Sequence, residues 1–119
     1  MSPRIALIGI AAAIVLVAPA WAAAPPVGPL PAGPTTQITT QRSQLVAVAL
    51  PAQPSGRVWR LKGSIDTRIV REVSEADVGK DVVIVFRTVS RGATTLSYGS
   101  TRGETSKAYA ARRFHVTVR

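Results

Sequence analysis

From Ile38 to the end of the chain, apolar and polar residues alternate in short runs separated by clusters of turn formers, a period that predicts strands. Ile38 to Thr40 reads as a brief first strand, and Arg42-Ser43-Gln44 as a polar turn. Leu45 to Leu50 reads as a second strand with Val46, Val48 and Leu50 on its larger face, closed by Pro51. Next comes Gln53-Pro54-Ser55-Gly56, a tight exposed loop in which proline fixes φ and glycine permits a positive one. It leads into a strand whose inward side carries Trp59 and Leu61 and whose outward side carries Val58, Arg60 and Lys62. Ile65 to Val73 alternates as a further strand, and Ser74 to Asp81 reads as a polar connection with a helical turn at its start. Val82 to Phe86 is apolar throughout, which predicts a central strand buried on both faces or covered on one by a partner. Ser90-Arg91-Gly92 reads as a hairpin turn, Ala93 to Tyr98 as the returning strand, and Gly99 to Ala108 as a long polar loop. Tyr109 to Val118 closes the chain as a strand, with Phe114, Val116 and Val118 on one face.

About seven short strands with no helix predict an all-β fold, an immunoglobulin-like antiparallel β-sandwich. The chain has no cysteine, so no disulfide staples the sheets. Packing around the aromatic anchors Trp59, Phe86, Tyr98 and Phe114 must hold them instead.

The first third has a different pattern. Arg4 precedes an almost unbroken apolar run from Ile5 to Ala18, and Ala20-Trp21-Ala22 has the small-x-small form of a signal-peptidase site. Residues 1–22 therefore read as a signal peptide cleaved after Ala22 or after Ala24, with an uncleaved N-terminal anchor as the alternative. The run is shorter than the roughly 20 residues that span a hydrocarbon core, so no stable membrane span remains after cleavage. Residues 23–36 hold five prolines and two glycines and read as an extended, mobile linker. Residues 37–119 are then one small exported domain, periplasmic or secreted.

Fifteen Lys and Arg against six Asp and Glu give a formal charge of +9. For an exported chain this suits an acidic protein or envelope polymer. The basic residues are dispersed and lack interleaved aromatics, so nucleic acid is not expected. Catalysis is equally hard to build. His115 is the lone histidine and alternates with core positions, Ser55 and Ser100 have no base nearby, and Asp77 and Asp81 lack companions at metal-ligand spacing. The expectation is a protein that is not an enzyme and carries no cofactor or metal.

The stretch from Leu45 to the C-terminus resembles the chagasin-type inhibitors of papain-like cysteine peptidases, an exported family with an immunoglobulin-like sandwich. The resemblance lies in the valine-rich strand Leu45 to Leu50, in Gln53-Pro54-Ser55-Gly56-Arg57-Val58-Trp59, in Gly92 to Tyr98 with its Leu96-Ser97-Tyr98, and in Arg113-Phe114-His115-Val116. It implies non-covalent occlusion of a peptidase cleft by three loops: Gln53, Pro54, Ser55 and Gly56; Val78, Gly79 and Lys80; and Ser100, Thr101 and Arg102. The first loop is one residue shorter than the family pattern and has Gln for Asn, with Arg57 where an aromatic is usual. The second keeps one glycine, and the third lacks the family's Arg-Pro-Trp. The competing expectation is a non-inhibitory periplasmic binding or assembly domain on the same scaffold, using its basic surface for an acidic partner.

Overall fold

The computed structural model of the chain describes residues 24–119, so the signal peptide and its Ala22 cleavage site lie outside the described residues. Seven strands follow in order: β1 (Thr35–Thr40), β2 (Leu45–Leu50), β3 (Arg57–Leu61), β4 (Val70–Val78), β5 (Asp81–Thr88), β6 (Gly92–Arg102) and β7 (Ala108–Val118). They form two sheets, one in the order β1-β7-β6-β3 and the other β2-β5-β4. This is the all-β sandwich of immunoglobulin-like type. One pairing departs from an antiparallel scheme: β1 runs parallel to β7, from Thr35 beside Arg113 to Thr40 beside Val118.

The core lies where the inward faces meet. Val46, Val48 and Leu50 of β2, Ile84 and Phe86 of β5, Leu96 and Tyr98 of β6, and Phe114, Val116 and Val118 of β7 are buried together. Each such side chain taken from water contributes roughly 1.5 to 3 kcal/mol before the entropy of ordering it is subtracted. Tyr98 meets Phe114 edge to face, with ring centroids 6.3 Å apart. Trp59 is only half-buried. Its ring packs against the cluster, and its indole Nε1–H donates to the Pro51 carbonyl at 2.8 Å, tying β3 to the end of β2.

Several local expectations are corrected. The fourth strand starts at Val70, not Ile65, because Asp66 captures the preceding backbone: its carbonyl accepts from the N–H of Ile69 and of Val70, and its Oδ1 from the N–H of Arg68. The Arg68 guanidinium also pairs with Asp66 at 3.1 Å, and these hydrogen bonds hold the Asp66 carboxyl below the usual range. The segment from Ser74 to Asp81 is strand on both sides of a two-residue turn at Gly79-Lys80, with Gly79 at φ 66°. Ser90-Arg91-Gly92 is no hairpin turn: β5 and β6 belong to different sheets, and this link carries the chain between them. β5 is central, as its apolar run predicts, but within that run Ile84 and Phe86 are buried, followed by Thr88 at the end of the strand, while Val83 and Val85 on the outer face are half-exposed with no layer over them among the described residues.

The proline-rich segment is not a free spacer. Val27 is only 6% exposed, the Gly28 N–H donates to the Ser106 carbonyl at 2.7 Å, and Lys62 Nζ donates to the carbonyls of Val27 and Gly28. The segment lies on the outer face of the four-stranded sheet, over Gly99, where a Cβ would stand 2.9 Å from both Val27 Cγ1 and Leu30 Cδ2. A bare backbone at that point lets the two apolar side chains seat.

Candidate functional site

Three connections gather at one end of the sandwich. In the β2–β3 connection the Arg57 N–H donates to the Pro54 carbonyl at 3.1 Å, closing a four-residue turn with Gly56 at φ 86° in its third position. That is the conformation a type II turn demands, and it leaves Pro54, Ser55 and Gly56 exposed with Gln53 half-buried behind them. Two hydrogen bonds fasten this turn to its neighbours. The Ala52 N–H donates to Asp81 Oδ1 at 3.1 Å, reaching the start of β5, and the Gly103 N–H donates to the Gly56 carbonyl at 3.2 Å, reaching the β6–β7 connection.

The second connection is the Gly79-Lys80 turn, with Val78 before it 60% exposed. The third connection is not where the sequence places it. Ser100 and Thr101 are fully buried in β6, each 0% exposed, and neither can touch a partner; Arg102 alone of the three reaches solvent. The reason is the ladder. β3 pairs with β6 out to Arg57 beside Arg102, and β6 stays paired with β7 across a bulge in which Tyr109 is the extra residue. The Thr101 hydroxyl then donates to the Gly103 carbonyl at 2.6 Å. The exposed connection is residues 103–107, stiffened where the Thr105 hydroxyl donates to the Arg102 carbonyl.

One feature of this end escapes sequence reading. Tyr109, at the foot of the third connection, is 36% exposed and carries three cations about its ring: Arg57 at 4.6 Å, Lys107 at 5.0 Å and Arg102 at 5.2 Å from the centroid. Three positive charges around one aromatic make this flank strongly basic. Arg57 and Arg102 face each other across the β3–β6 ladder and Lys107 stands next to Tyr109, so the signal was present only in a pairing the sequence does not spell out. By contrast Arg60 and Lys62 are turned to other work, Arg60 donating to the carbonyls of Pro25 and Thr105. His115 lies on the outer face of β7, its Nδ1 hydrogen-bonded with the Thr95 hydroxyl at 2.9 Å. Among the described residues no group of His, Asp or Glu is spaced to hold a metal ion.

No family model and no curated protein matches this sequence. Among solved structures, the fold is similar to that of the cysteine protease inhibitor EhICP2 from Entamoeba histolytica, with a TM-score of 0.55 at 17% identity over 71% of this chain and 95% of that one. At that identity the likeness is one of fold.

Proposed function

We propose that this protein is an exported, chagasin-type inhibitor of papain-like cysteine peptidases that fills the enzyme's cleft without covalent chemistry. The observation that carries the reading is the clustering of three short, exposed connections at one end, with the middle one hydrogen-bonded to both of its neighbours. Such a ridge is pre-organised, so little conformational entropy is lost when it enters a groove. Its contact residues are Gln53 to Gly56, Val78 to Lys80, and Arg102 with residues 103–107, the last replacing Ser100 and Thr101. The likeness of fold to a cysteine protease inhibitor supports the same reading. Export rests on the N-terminal residues: Arg4, the apolar run, and Ala20-Trp21-Ala22.

A second reading has one observation in its favour. The cations around Tyr109 suit a non-inhibitory domain that docks an acidic protein or envelope polymer through this flank. Titrating the purified protein against papain-type peptidases, with substrate turnover as the readout, separates the two. The inhibitor reading expects saturable inhibition, reversed on dilution, and at least a tenfold loss when two residues are inserted between Ser55 and Gly56 without a change in melting. A folded protein that leaves every such peptidase fully active would overturn it and favour the second.

A further inference from the structure

β4 forms one edge of its sheet and β3 the edge of the other, and between them the sandwich opens into a cleft of about 390 Å³. That is within the size range of small-ligand sites. Its walls combine two chemistries. Leu50, Trp59, Ile84 and Tyr98 supply an apolar floor, while β4 turns Glu72, Glu75 and Asp77 toward the opening. The bulge between Glu72 and Ser74 is what aligns them, since it shifts the alternation by one residue and keeps all three on the inner side. In a chain of charge +9 with six acidic residues, half of those residues line this one cleft.

None of the three carboxylates is in an ion pair among the described residues, where the single pair is Arg68 with Asp66. Arg57 and Lys80 also line the cleft, with the Arg57 guanidinium lying over the Tyr109 ring, 4.6 Å from its centroid. The second observation is independent of the acids. Tyr98 is 3% exposed and lines the cleft, and its hydroxyl is buried with no hydrogen-bond partner. Leaving a buried hydroxyl unpaired costs on the order of 1 to 3 kcal/mol, so a group that completes it is strongly favoured. Burial, and then the charges of Glu72 and Glu75, push this phenol above its ordinary range, so it stays protonated and offers lone pairs to a donor.

We propose that this inter-sheet cleft, which opens beside the three-loop ridge and shares Gln53 and Lys80 with it, is a binding site for an alkylguanidinium group. A guanidinium presents five N–H donors in a rigid plane, which suits carboxylates arriving from successive positions of one strand together with a phenol oxygen. Its flat face suits the Trp59 ring, and its alkyl stem suits Leu50 and Ile84. A metal ion does not fit, since no group of acidic side chains here is spaced to coordinate one. The guanidinium comes either from a small free molecule or from an arginine side chain of a partner.

The test is calorimetric titration of the full chain with butylguanidine, with a capped tripeptide centred on arginine, and with butylurea as an uncharged analogue. The site requires saturable binding of butylguanidine, of the tripeptide or of both, and none of butylurea. Binding of butylguanidine assigns a small free ligand, and binding of the tripeptide alone assigns an arginine side chain of a partner. Glu72→Gln with Glu75→Gln, on exposed edge-strand positions, should weaken binding at least about tenfold. Tyr98→Phe should weaken it severalfold with the melting temperature retained. Absence of binding to either guanidinium at about 10 mM, or an affinity unmoved by the double Gln variant, would overturn the proposal. No peptidase is present in these titrations, so their failure leaves the inhibitor reading untouched.

Discussion

Trp59 is the residue on which both the fold and the site depend. Its ring covers one side of the core from an edge strand, and its indole N–H fixes the Pro51 carbonyl at the root of the first loop. Replacement by alanine removes both, and because the ring is half-buried we expect a loss of about 3 kcal/mol, toward the low end of values for large aromatics. Trp59→Phe separates the contributions. It keeps most of the apolar contact and deletes the hydrogen bond, for an expected loss of about 1 kcal/mol, and chemical denaturation of the two variants checks the order. An equal loss in both would mean that the indole N–H, rather than the ring, supports β3. Thr88 is a smaller instance of the same economy: fully buried, its hydroxyl donates to the Gln41 carbonyl at 2.6 Å and accepts from the Gln44 N–H at 2.9 Å, clasping the β1–β2 turn to β5.

At the scale of elements, the docked segment before β1 makes a prediction of its own. Gly99→Val should dislodge residues 24–34, because its side chain would occupy the space of Val27 and Leu30, while the β3–β6–β7 ladder beneath persists. The measurement is hydrogen exchange at the Gly28 amide, which should lose protection while the amides of β6 keep theirs. How far the elements were legible follows from what each strand buries. β2 and β7 were plain, since Val46, Val48 and Leu50, and Phe114, Val116 and Val118, are apolar because the core needs them so. β4 was legible only as far as Val73, because beyond it the inward positions are Glu75 and Asp77, which face a cleft rather than a core and so read as a polar connection. The end of β6 failed for the opposite reason: Ser100 and Thr101 are polar and yet fully buried. The first two candidate loops could be found because Pro54, Gly56 and Gly79 impose turns locally, whereas the third depended on how far β6 stays paired with β3. Two apolar residues among the prolines, Val27 and Leu30, were too sparse a pattern to announce docking.

For the molecule as a whole, the basic residues near the loops are concentrated on one flank. Arg57, Arg102 and Lys107 gather about Tyr109 on one flank of the loop end, whereas Asp81 and Glu104 lie in the neighbouring connections and Glu72, Glu75 and Asp77 line the cleft. An acidic partner surface would be steered to this Tyr109 flank rather than to the loop end as a whole. We expect association to slow as salt rises from about 0.05 to 0.5 M, where the screening length falls to a few ångströms, with little change in dissociation. Replacing the three cations by glutamine should flatten that dependence, as stopped-flow association at the two salts would reveal. The parallel pairing of β1 with β7 has a further consequence. β7 starts at the loop end and finishes at the other, where the Arg119 N–H donates to the Thr40 carbonyl, while Pro25 and Thr105 share the Arg60 guanidinium beside the loops. A tether or affinity handle attached ahead of Ala24 would crowd the loop ridge and shield it from a large enzyme. The same handle placed after Arg119 would present that ridge outward, so the two orientations on a sensor surface should differ in the partners they admit.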